Sequence, residues 1–161
     1  MRNASNNELH DVAAAFVAAR RNAQVLSNYP GTRPDNLSDA YVIQDHAITL
    51  DGRAVVGWKV GRINPPDDAR LGSNRLVGPI FGDAVRVTTG VDVEPNMRIY
   101  AGGFAAAEAE LVLHLADGWN RSAPRNDDET LALIDDVRLG IEIASSPYPR
   151  INSDGPAVTA S

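Results

Sequence analysis

The hydrophobic register of this chain changes near residue 52, and that change limits the fold more than any other feature. Before it, apolar residues recur at helical spacing; after it, they fall in short runs divided by Gly, Pro, Asn and Asp. Leu9, Val12, Ala13, Phe16 and Val17 share one helical face within 7–27, behind a Ser/Asn stretch suited to an N-cap. A turn at Tyr29-Pro30-Gly31 leads to a second helical pattern from Leu37 to Asp51, carrying Ala40, Val42, Ile43, His46 and Ile48. Beyond Gly52, strands are predicted over 54–60, 76–81, 84–87, 104–115 and 137–144, with a short helix over 126–134.

The expected class is therefore α+β. A helical region over 1–78 also carries the Gly57-Trp58-Lys59-Val60-Gly61 strand, and a β-rich region spans 79–161. Gly155 to Ser161 reads as a turn entering one more apolar strand, so the β region is expected to be incomplete and to need further strands beyond Ser161.

Composition narrows the chemistry. The 161 residues are 43 % hydrophobic and 22 % charged, the balance of a globular chain with a core. A net charge of −6 without clustered Lys or Arg predicts no nucleic-acid partner. With no cysteine there is no thiolate metal site, disulfide or Cys nucleophile, so any metal must be held by oxygen or imidazole. No run approaches the roughly 18 apolar residues of a membrane span, and the first residues lack a signal-peptide core; no membrane partner and a cytoplasmic location are expected.

The strongest local signal is Ala107-Glu108-Ala109-Glu110-Leu111-Val112-Leu113-His114-Leu115. As a strand it puts Glu108, Glu110, Val112 and His114 on one face and only Ala and Leu on the other. Adjacent carboxylates on one face fit a divalent cation that relieves their repulsion, and they equally fit a solvated edge strand. Val137 to Ala144 alternates in the same way and sets Glu142 beside Gly140 and Ala144. Three carboxylates brought together would offer hard oxygen ligands, which suit Mg²⁺, Mn²⁺ or Ca²⁺.

Lys59 shares its face with Gly57 and Gly61, so it reads either as an amine over a hollow or as a snorkelling strand lysine. Close to a cation and with little water, such an ammonium can exchange a proton near neutral pH. His10 and His46 fall on helices in packing or surface roles. His114 lies about 13 Å along its strand from Glu110, too far to share an ion with it. Asp135 and Asp136 read as the solvated far end of the short helix. No Gly-x-Ser-x-Gly elbow or phosphate-cradling glycine loop occurs.

Five ordered motifs resemble one family: Ala40-Tyr41-Val42-Ile43-Gln44; Gly57-Trp58-Lys59-Val60-Gly61; Leu71-Gly72 with Gly78-Pro79-Ile80-Phe81; Glu108-Ala109-Glu110; and Gly140-Ile141-Glu142-Ile143. In this order they are similar to the 2-keto-4-pentenoate hydratases and 4-oxalocrotonate decarboxylases of the fumarylacetoacetate hydrolase superfamily. The resemblance implies a mixed β-roll, a homo-oligomer, a Mg²⁺ (or Mn²⁺) ion on Glu108, Glu110 and Glu142, and a small 2-oxo acid as substrate. It also implies Lys59 as a lysine lining the substrate pocket, where it is expected to be catalytic as a proton shuttle or carboxylate anchor, and Leu71 as a substrate-pocket wall. After Leu71-Gly72 the acidic residue carried by the hydratases gives way to Ser73-Asn74-Arg75-Leu76-Val77, where Arg75 is expected to meet a substrate carboxylate. Hydration of a 2-hydroxy-dienoate in aromatic catabolism is the expected reaction. Decarboxylation, acylpyruvate hydrolysis and a non-catalytic remnant are the alternatives.

Overall fold

The structure, a computed structural model, describes residues 5–88, 94–117 and 122–161. It is α+β, and its contacts divide it into two compact units: Met1–Ala105 with Ser145–Ser161, and Ala106–Ala144. The division falls elsewhere than at residue 78, because the β-rich half is itself split between the units. Among the described residues no helix is long and apolar enough to cross a membrane.

In the first unit, α1 (Asn6–Arg21) starts at a capping box in which the Ser5 hydroxyl accepts from the Glu8 N–H at 3.3 Å and the Glu8 carboxylate accepts from the Ser5 N–H at 2.7 Å. It stops short of residue 27, since Asn22 caps it and Ala23 turns to φ 51°. α2 (Leu37–Asp51) is capped by Asn36, whose side chain accepts from the Asp39 N–H at 2.8 Å, and it ends on Gly52 at φ 75°. Leu9, Val12, Phe16 and Val17 meet Ile43 and Ala47 in a core closed by Tyr29, Tyr148, Ile151 and Val158. Phe16, Tyr29 and Tyr148 touch edge to face at centroid distances of 5.5, 6.5 and 5.8 Å. Burial pushes the Tyr29 phenol up to about 12, and its hydroxyl donates to Ser161 at 3.0 Å.

β1 (Val55–Arg62) pairs antiparallel with β2 (Arg75–Phe81), linked by the single turn of α3 (Asp67–Leu71). α2 seals the edge of β2: the Tyr41 hydroxyl accepts from the Val77 N–H at 3.2 Å, and Gln44 donates to the Val77 carbonyl at 2.9 Å. The buried Gln44 amide also donates to the Ala160 carbonyl at 3.0 Å, so one side chain ties three segments together.

Two predicted strands are absent. Residues 84–87 carry only the end of a 3₁₀ turn, Gly82–Ala84, and then irregular chain. The expected strand at 157–158 is instead helix α5 (Pro156–Ala160), with Pro156 in its first turn and Ala157, Val158 and Ala160 buried. It packs on α2 and β2, so the apolar run that suggested an uncovered strand edge is core.

The second unit is built on β3 (Phe104–Leu115) and β4 (Ile134–Ser146), which form a two-stranded sheet whose proximal ends lie in the first unit. The strands are antiparallel: the Ser145 hydroxyl donates to the Phe104 carbonyl at one end, and the Ala116 N–H donates to the Leu133 carbonyl at the other. Gly103 is required where the sheet begins, because a Cβ there would stand 2.2 Å from the Ser146 carbonyl oxygen. The short helix between the strands is α4 (Asp127–Leu131), capped by the Asn126 side chain. Asp135 and Asp136 do not end that helix; they lie on β4.

Candidate metal site

Alternation along β3 and β4 sorts the second unit into two unlike faces. Leu111, Leu113 and Leu115 with Val137, Leu139 and Ile141 make an aliphatic face that is open to solvent, Leu139 being 89 % exposed. The other face carries Glu108, Glu110, Val112 and His114 from β3, and Asp136, Arg138, Gly140 and Glu142 from β4. Antiparallel pairing brings Glu142 opposite the two glutamates of β3.

Glu108, Glu110 and Glu142 each offer a carboxylate oxygen, and these oxygens lie within 4.8 Å of one another. Bonds of about 2.1 Å around an octahedral Mg²⁺ separate its ligand oxygens by roughly 3 to 4 Å, so the trio needs only small side-chain adjustment to close on one ion. Glu110 and Glu142 are partly buried, and Glu142 Oε2 is shut off from solvent. An all-carboxylate donor set fits Mg²⁺ or Mn²⁺ and suits softer ions poorly.

Further along β3, His114 Nδ1 stands 3.4 Å from Asp135 and 4.0 Å from Asp136. His114 is thus separate from the glutamates, as the strand rise requires, and it faces carboxylates that the sequence reading had placed on a helix. Cross-strand register, which becomes visible only once β3 and β4 are paired, is the signal that brings these three together. Arg138 holds Asp136 through contacts of 2.9 and 2.6 Å. That hydrogen bonding lowers the Asp136 pKa and raises that of Arg138.

Comparison with protein-family models, with curated proteins and with solved structures finds no match to this chain. The chemistry of the candidate site is carried by its own geometry.

Lys59, Leu71 and Arg75 belong to the first unit. Lys59 projects from the half-buried face of β1, while Val56, Trp58 and Val60 are exposed, the reverse of an ordinary strand. The hollows expected at Gly57 and Gly61 are not empty: Ile80 would lie 3.7 Å from a Cβ at Gly57, and Leu76 3.1 Å from one at Gly61. The space lies across the sheet, where Lys59 pairs with Gly78 and a Cβ on Gly78 would meet nothing within 4 Å. Leu71 packs beside Ala40, Ala157 and Ala160. Arg75 is exposed at the start of β2 and donates to the Asn74 carbonyl at 2.9 Å.

Proposed function

We propose that this chain is a metal-dependent lyase that hydrates a small 2-hydroxy-dienoic acid, resembling the 2-keto-4-pentenoate hydratases. The observation that carries the proposal is the convergence of the Glu108, Glu110 and Glu142 oxygens within 4.8 Å on one face of β3 and β4. These residues would hold Mg²⁺ or Mn²⁺, and a cation bound there supplies Lewis acidity to the carboxylate and 2-oxo oxygens of a chelating substrate. The glutamates would fix the cation's place and leave room beside it for substrate or water.

Roles for the first unit rest on the resemblance and are tested by kinetics. By that resemblance Lys59 is a proton shuttle or carboxylate anchor, Arg75 a partner for a substrate carboxylate and Leu71 a pocket-wall residue. The mixed β-roll, the cytoplasmic setting and the homo-oligomer belong to the same proposal. The exposed Leu111, Leu139 and Ile141 support the homo-oligomer by supplying apolar surface of the kind interfaces bury.

Decarboxylation of a related 2-oxo acid is the second reading, favoured by the sequence Ser73-Asn74-Arg75-Leu76-Val77, which has no acidic residue. The test is a panel of 2-hydroxy-dienoic and 2-oxo acids with Mg²⁺ or Mn²⁺, following dienol absorbance and released CO₂. The expected result is cation-dependent loss of the dienol without CO₂. Release of CO₂ establishes decarboxylation instead, and no turnover of any acid overturns the enzymatic reading.

A further inference from the structure

Between the carboxylate trio and the group formed by His114, Asp136 and Arg138, Val112 is in contact with Gly140 on the shared face of β3 and β4. Gly140 lies two residues before Glu142 and Val112 two residues after Glu110, so the contact adjoins the trio on both strands. A Cβ built on Gly140 would stand 2.8 Å from Val112 Cγ2, closer than two carbons can approach. Gly140 is not among the glycines at positive φ, so its backbone would accept alanine, and the obstacle to a side chain there is Val112 alone. Val112 is β-branched and has few rotamers with which to yield.

We infer that Gly140 positions the metal site by leaving the space over β4 into which Val112 leans, so that Glu110 and Glu142 can meet. Resting on the proposed cation role of the trio, this assigns Gly140 a task that its own chemistry does not announce. Filling the space either turns Val112 toward Glu110 or spreads the strands. Both movements part the carboxylates. The same contact keeps an apolar side chain between the trio and Arg138, which Asp136 holds at 2.6 Å on the far side.

The test is Mn²⁺ titration of the 161-residue chain, followed by the electron paramagnetic resonance signal of free Mn²⁺, with far-UV circular dichroism to establish that each variant folds. Gly140→Ala is expected to weaken Mn²⁺ binding by about 10-fold or more, the scale of outer-shell changes around metal ligands. Val112→Ala alone should remain within about 3-fold of the unaltered chain. The pair Gly140→Ala with Val112→Ala should return to within about 3-fold of it, because the added methyl then has room. Gly140→Ala binding as well as the unaltered chain overturns the inference, and so does a folded double variant that binds as weakly as Gly140→Ala. Should Gly140→Ala fail to fold, the double variant alone decides. Failure of the unaltered chain to take up Mn²⁺ is a different outcome: it removes the cation reading, and this inference with it.

Discussion

Glu142→Gln is expected to lower Mn²⁺ affinity by at least about 100-fold, more than the 10- to 100-fold typical of outer-shell changes. The amide keeps the size of the side chain and one oxygen, so packing on β4 is preserved while the negative charge is lost. Glu142 is the only member of the trio that comes from β4, and its Oε2 is the atom closed to solvent, so neither glutamate of β3 can take its place. His114→Ala, on the same face but outside the trio, should leave the affinity within about 2-fold, as expected for a site that makes no contact with it. Isothermal calorimetry on the two variants distinguishes a built site from diffuse attraction by a chain of net charge −6. Equal losses in both would mean that the ion is held only by the general field.

Lys59→Met is expected to reduce turnover by about 100-fold or more, or about 2.7 kcal/mol in the barrier, the usual contribution of a positioned acid or base. Methionine retains a long apolar stem at the position paired with Gly78, so the loss reports the ammonium and not the packing of β1 on β2. Thermal unfolding within a degree or two of the unaltered chain would establish that the sheet is intact. Unchanged kcat with the same Mn²⁺ affinity would leave Lys59 as a strand residue.

Periodicity was a sound guide where an element was long enough to display it. The two N-terminal helices, the paired strands around Trp58 and Pro79, and the opposed faces of β3 and β4 all follow from spacing, and the carboxylate face was legible in Glu108-Ala109-Glu110 before any pairing was known. Short apolar runs were ambiguous, since two buried residues, Ala157 and Val158, fit a strand and a helix alike; Pro156 at the helix start was the cue that favoured the helix. Val85 and Val87 alternate but find no partner strand among the described residues. Asp135-Asp136 resembled a helix end because acidic pairs are common in solvated turns, whereas β4 begins one residue earlier, at Ile134. The glycines beside Lys59 marked a real irregularity, but sequence alone gives no cross-strand register. Ile80 and Leu76 fill the gaps at Gly57 and Gly61, and the open side is at Gly78. The Val112 contact at Gly140 was illegible for the same reason.

The most direct measurement is a crystal structure of the chain grown with Mn²⁺, read by anomalous scattering at the manganese edge. The account predicts one strong peak bonded at about 2.2 Å to oxygens of Glu108, Glu110 and Glu142 together. A peak on His114 and Asp135 instead, or no peak at the three glutamates at saturating Mn²⁺, would contradict it.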